Sequence, residues 1–286
     1  MNTAFHDRIQ PTKKTIIVDA GANPLDPTDH YRPLLTHTPA HLFGFEPQAE
    51  ALMALKARQG NQESYLPYLL GDGQPHTLRI CRASVMTSLL EPDPIRCALF
   101  HRFDQLTEVI ERRIVLTKSL DELSEIPPID YLKMNVCGAE KMILVHGHQK
   151  LADIAAIQLE VSFTPLYYFQ PTIGEMDTLL RSMGMIPHAM PVIKKWGIKP
   201  LVIHDCQEWP MHQLLVAEMV YVVDYRDPGR IPTELLKQMV LILHYCYQSV
   251  DLVLFCLQEL ARRKAIDSDP ERWYLESLML LPQDTV

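Results

Sequence analysis

The chain has 286 residues, 47% of them hydrophobic and 22% charged, and a formal net charge of −8. That length allows one large α/β domain, or a medium domain with an appendage, and the apolar content suffices for a buried core of the kind soluble proteins carry. An acidic balance with no block of basic residues argues against nucleic acid as the main partner.

In chain order, the N-terminal "MNTAFHDRIQPTKKT" lacks the apolar segment of a signal peptide. "TIIVDAGAN" (15–23) is a β-branched run ending in Asp and Gly, which reads as a buried strand and a tight turn. "HLFGFEP" (41–47) is a second strand ending at an acid and a proline, and "PQAEALMALKARQ" (47–59) has helical spacing with Pro47 suited to the first turn. "SYLPYLLGDG" (64–73) reads as a third strand ending in Gly-Asp-Gly, and "HTLRICRA" (76–83) alternates like an added one. Residues 84–111 are mixed and read as a loop with a short helix; "RRIVLTKSLDELSEI" (112–126) is a strand and a helical turn. "YLKMNV" is the next strand, "GAEKMILVHGHQKLA" the next helix, "IAAIQLEVSF" (154–163) a fully buried strand and "TIGEMDTLLRSMGM" (172–185) an amphipathic helix. This alternation implies a mostly parallel sheet with helices on both faces, an architecture that binds ligands at the carboxyl ends of its strands.

After Gly197 the character changes. "QLLVAEMVYVVDYRDPGR" (213–230) reads as one more strand, and residues 232–281 read as two or three helices with breaks near Ser249 and at 267–270. The apolar "MVLILHYCYQSVDLVLFCLQEL" is interrupted by His244, Gln248, Ser249 and Asp251, so it reads as buried helices and no membrane contact is expected. Its apolar stripe packs on the chain's own sheet or meets the same helices of a second subunit, as a possible homodimer. The division expected is a domain over 1–210 and an extension over 211–286. Six cysteines with no CxxC pair fit a reduced cytoplasm; no metal site is read from them.

Three positions suggest a nucleoside-type cofactor. Gly21 lets backbone approach a ligand after the first strand. Glu46, 27 residues beyond Asp19, can accept from both ribose hydroxyls. Asp72 is placed to meet an adenine amino group. The bland alternative is that these residues cap strands. Pro24 and Leu25 stand where a full GxGxxG would continue, which disfavours a pyrophosphate and fits S-adenosylmethionine better.

"VDAGANP", "GFEPQAEAL", "YLPYLLGDG", "MTSLLEPD", "YLKMNVCGAE" and "IQLEVSFTPLYYFQPTIGEMDTLLRSMGM", in this order, resemble the FkbM family of S-adenosylmethionine-dependent methyltransferases. The tail with "LHYCYQSVDLVLFCL" resembles one bacterial subgroup. The resemblance implies a class I methyltransferase (Rossmann-like) fold, with a seven-strand, mostly parallel sheet containing one antiparallel strand and a C-terminal helical extension. It implies O-methylation of a hydroxyl on a small metabolite, sugar or glycan. By position, Asp19, Gly21 and Asn23 would line the methionine end of the cofactor, Glu46 the ribose and Asp72 the adenine, with Ser88 near cofactor and acceptor. The family pattern Lys-x-Asp-x-x-Gly-x-Glu is met here by Lys133, Asn135, Gly138 and Glu140. Asn135 thus replaces an acid, and an amide cannot take a proton. The competing function is a non-catalytic relative that keeps the fold for binding or assembly.

The remaining candidates each have a bland reading. Glu140 is a replacement base or a first-turn acid favoured by the helix dipole. Glu160, at a buried strand's end, needs a partner and is structural or catalytic. Lys133 is expected to pair with a neighbouring acid. His146 and His148 read as an exposed helix terminus, and Tyr167, Tyr168 and Trp196 as an acceptor-stacking wall or ordinary core edges.

Overall fold

Short apolar β-branched runs alternate with amphipathic helices, and each run buries both faces only if helices cover the sheet on either side. The computed structural model describes residues 4–24, 29–206, 209 and 211–278. Its elements are α1 (Ala4–Ile9), β1 (Thr15–Ala20), α2 (Arg32–His37), β2 (Ala40–Phe45), α3 (Ala49–Ala57), β3 (Glu63–Leu66), β4 (Pro75–Cys81), α4 (Pro94–Cys97), α5 (Phe103–Leu106), β5 (Val109–Leu116), β6 (Tyr131–Met134), α6 (Glu140–Val145), β7 (Ala156–Ser162), α7 (Ile173–Ser182), β8 (Met185–Lys195), β9 (Leu214–Val223), α8 (Thr233–Ile242), α9 (Val250–Arg262) and α10 (Pro270–Leu278).

Seven strands form one sheet in the order β3-β2-β1-β6-β7-β9-β8. β9 runs antiparallel to both of its neighbours, and the pairs among β1, β2, β3, β6 and β7 are parallel. This is the seven-strand sheet with one antiparallel strand that the resemblance implied. The order reverses between β1 and β6, which opens a crevice at the carboxyl ends of those strands. β4 and β5 form a separate two-stranded ribbon.

The two sheet faces differ. One is apolar: Val18, Leu132, Met134, Ile157 and Leu159 pack with Ile143 and Leu144 of α6 and Met176 and Leu180 of α7. A capping box, Thr172 with Glu175, starts α7. The other face lies under α2 and the C-terminal helices, where Ile17, Leu42 and Val220 join Leu34, Leu236, Met239, Val253 and Leu257. A line of buried polar groups crosses this second face. Tyr131 and Tyr247 both donate to Gln158 Oε1, at 2.9 and 2.8 Å, and Gln158 Nε2 donates to Glu218 at 3.1 Å. Tyr247 closes a π-helical turn, Leu243–Tyr247, after α8. The apolar stripe of the C-terminal helices is therefore buried on the chain's own sheet. Among the described residues no helix is long and apolar enough to cross a membrane.

Three readings change. β3 stops at Leu66, because Pro67 has no N–H to continue the ladder; Asp72 lies six residues beyond it, where the ribbon begins. β8 was not anticipated. Its prolines 187 and 191 and its register shifts are features of an edge strand, and among the described residues it pairs only with β9. β9, read as part of the extension, sits between β7 and β8, so a boundary at 210 divides the sheet. Leu25 and residues 279–281 lie outside the described residues.

Candidate active site at the carboxyl ends of the strands

The turn after β1 is fixed by close backbone approach. Gly21 has φ +83°, and a Cβ there would lie 2.3 Å from the Asn135 carbonyl oxygen. Only glycine fits, since both the conformation and the space exclude a side chain. Gly21 N and Ala22 N both donate to Phe45 O, at 3.1 and 3.0 Å, and Asn135 N donates to Ala20 O at 3.0 Å. The ends of β1, β2 and β6 are thereby locked together, with Asn23 half-buried beside them.

Asp19 does not reach this crevice. It is 0% exposed on the helix-covered face, opposite Lys133 in the β1–β6 register. Lys133 Nζ lies 3.2 Å from Asp19 Oδ1, and Tyr31 donates to Asp19 Oδ2 at 2.6 Å. Burial raises the Asp19 pKa, opposed by Lys133 and by Tyr31. Its expected place at the methionine end of a cofactor is corrected: the carboxylate is a buried counter-ion, and Lys133 has the structural role its apolar strand implied. Tyr31 lies in no motif and was not foreseen.

Glu46 stands at the end of β2, 6% exposed. One carboxylate oxygen, Oε1, accepts from Gln48 N at 2.6 Å. Its other oxygen has no hydrogen-bond donor among the described residues. Burial raises its pKa to about 7, with the Gln48 bond opposing and Asp19 adding to the rise. A buried carboxylate with one uncommitted oxygen is a fitting acceptor for a diol.

Asp72 is off the strand tip, and its Oδ1 accepts from Gln74 N at 2.9 Å, from Thr117 Oγ1 at 3.2 Å and bonds His76 Nε2 at 2.8 Å. It braces the start of the ribbon, and its pKa is lowered by those bonds against a burial effect that raises it. Ser88 is 2% exposed. It donates to Cys137 O at 2.7 Å and accepts from Leu90 N at 2.9 Å, so its hydroxyl cross-links two loops.

The turn after β6 is clamped from several sides. Glu140 accepts through Oε1 from Val136 N at 3.0 Å and through Oε2 from Gly138 N at 2.8 Å. Burial raises its pKa to about 7 against these backbone bonds. Each oxygen accepts from a backbone N–H of the turn, so Glu140 positions the turn in this structure. Cys137, at φ +52°, places its Sγ 3.1 Å from Val85 O. A Cβ on Gly138 would meet Leu90 Cδ1 at 2.5 Å. Within this clamp, the half-buried side-chain amide of Asn135 has no hydrogen-bond partner among the described residues. The sequence showed Asn135 and Glu140 but not that one holds the turn for the other.

Glu160, on β7, is half-buried and 3.5 Å from Lys194 on β8. It faces Glu218 across the β7–β9 register. His146 Nδ1 bonds Met142 O at 2.9 Å and His148 lies 3.4 Å from Asp121, so the two histidines form no joint site. Tyr167 is buried and donates to Met86 O at 2.9 Å; Trp196 meets Phe103 edge-on at 5.0 Å. Two surface grooves, one lined by Asp224, Arg226, Asp227 and Arg230 and one by Arg32 and Glu63, lie away from these strand ends. Their arginines Arg32, Arg226 and Arg230 are paired with neighbouring acids.

A strand-end crevice with a glycine turn, a buried acid directly after β2 and a polar residue directly after β6 fits the class I methyltransferase form of the α/β fold. The family model of the methyltransferase FkbM domain matches residues 19–187, more than half of the chain. The chain belongs to the FkbM methyltransferase family, whose methyl donor is S-adenosylmethionine. No curated protein matches the sequence. Solved structures similar to it are distant. The FkbM methyltransferase of Methylobacillus flagellatus KT is 9% identical, with TM-score 0.41, over 73% of this chain and 43% of that one. Magnesium protoporphyrin IX methyltransferase (ChlM) of Synechocystis PCC 6803, with bound SAM, is 9% identical, with TM-score 0.37, over 78% and 74%. The LepI complex with SAM is 11% identical, with TM-score 0.35, over 74% and 44%. The chain thus spans less than half the length of two of these three.

Proposed function

We propose that the protein methylates a hydroxyl oxygen of a small metabolite, sugar or glycan. Gly21 and Asn23 would border the methionine end of S-adenosylmethionine, and the uncommitted oxygen of Glu46 would accept from the ribose diol. The remaining oxygen of Asp72 would serve the adenine side from the ribbon's base. When bound, the cofactor supplies a methyl group on a sulfonium centre with a neutral leaving group, so alignment contributes much of the acceleration.

The observation that carries the reading is the Asn135 amide, which has no hydrogen-bond partner among the described residues and is held by a turn clamped through Glu140 and Ser88. Asn135 Oδ1 accepts a hydrogen bond from the acceptor hydroxyl and orients its lone pair. An amide takes no proton, so the hydroxyl proton passes to water. General-base assistance is worth about 10²–10⁴-fold, and its lack makes the enzyme slow. Glu160 would contact the acceptor from β7. A reducing compartment fits the six free cysteines.

The test is release of S-adenosylhomocysteine with a panel of hydroxylated acceptors. Wild type should turn over slowly, Asn135→Asp at least about tenfold faster, and Asn135→Ala more slowly than either. Cofactor binding with no transfer by any variant overturns this reading. It leaves the non-catalytic binding protein, which the replacement of the family acid by Asn135 itself favours.

A further inference from the structure

The apolar stripe of the C-terminal helices is covered, but the ribbon is not. Ile114 is 80% exposed, Leu116 60% and Ile110 59%, all on β5. Among the described residues β5 pairs only with β4. Among the described residues, no backbone hydrogen bond reaches its outer edge over 110–116. A bare edge strand with apolar side chains is a template for another strand.

The sequence of this edge says which strand fits. Residues 109–115 read "VIERRIV", a palindrome about Arg112 except that Glu111 answers Arg113. In an antiparallel pair, directly opposed residues share a face. A two-fold axis through Arg112 sets Val109 against the partner subunit's Val115, Ile110 against the partner subunit's Ile114, and Glu111 against the partner subunit's Arg113. Every such pair occurs twice. The like charges meeting at the axis are offset in part by Glu91, which lies 2.6 Å from Arg112 and is shared with Arg79 at 2.8 Å. Ile110 is itself the extra residue of a bulge opposite Ile80 and Cys81, which bends the end of the strand, and its side chain stays exposed.

We propose that β5 is the contact of a symmetric homodimer, joining two ribbons into one four-stranded sheet. This contact bears on the site. The opposite face of the ribbon, through Leu78, Ile80 and Val115, packs on Val136, Ala139 and Met142 around the turn that presents Asn135. Pairing at β5 would stiffen that turn from behind.

The test is sedimentation velocity on the full chain at micromolar to tens of micromolar concentration, using charge reversals at two exposed positions. Glu111→Arg leaves only cations at both positions, and Arg113→Glu leaves only anions. Each variant alone should dimerise about tenfold more weakly than wild type, as like charges directly opposed are destabilising. An equimolar mixture should form the mixed dimer, because each cation then faces an anion across the axis; an effect confined to one chain would not respond to mixing. Ile114→Glu should be monomeric. A wild type that stays monomeric throughout, a dimer indifferent to Ile114→Glu, or no recovery on mixing would each overturn the proposal.

Discussion

Glu46 directly follows β2 and Glu140 opens α6 beyond the turn after β6, and the two differ in what their carboxylates do. Both are buried, and burial raises both to a pKa of about 7. Glu140 accepts from two backbone N–H groups of its own turn, one per oxygen. Glu46 accepts from one, leaving an oxygen over. A raised pKa therefore does not separate a scaffold acid from a ligand-binding acid. The hydrogen-bond ledger does.

The sharpest way to break the scaffold side is beneath the site. Lys133→Met should leave Asp19 buried without its cation and cost about 3–5 kcal/mol in chemical denaturation. A loss below about 1 kcal/mol would mean that the pair is not held in the interior. Glu140→Ala should strand the N–H groups of Val136 and Gly138. At about 1–3 kcal/mol for each unsatisfied buried group, stability should drop by roughly 2–6 kcal/mol, and transfer activity should fall with it.

On the ligand side the pattern should invert. Glu46→Ala should lower affinity for S-adenosylmethionine by roughly 10–100-fold, the worth of hydrogen bonds to a charged acceptor, at a smaller stability cost than Glu140→Ala. A smaller effect sharpens the comparison through pH. Glu46 titrates near 4.5 unfolded and about 7 folded. Between those values the folded state holds the extra proton, so its contribution is full below pH 4.5 and declines as pH rises to about 7. Melting temperature followed across that window should fall less in Glu46→Gln than in wild type. Cofactor affinity should rise through the same upper limb, as the carboxylate form takes over. Equal pH slopes in the two proteins would contradict the raised pKa.

The residues announced the sheet better than the site. Runs such as "TIIVDA" and "AIQLEV" are apolar enough to require cover on both faces, and their alternation with helices allowed few arrangements. β8 was hidden because an edge strand tolerates prolines and lysines that would break an interior one. Asp72 was set on a strand tip because "YLPYLLGDG" is apolar throughout, although Pro67 ends the ladder. Asp19 carried no mark of facing inward, because its direction depends on Lys133, 114 positions away and opposite it in the register. Glu140 was legible as an acid near the site. Its commitment to Val136 and Gly138 depends on Cys137 adopting a left-handed conformation, which sequence does not declare.

The most direct measurement is calorimetric titration of S-adenosylmethionine into wild type and Glu46→Ala at pH 8, with denaturant unfolding of both. The account predicts binding by wild type, its loss or a 10–100-fold weakening in the variant, and a variant that still folds. Wild type that is folded and does not bind, or a variant that binds equally well, would contradict it.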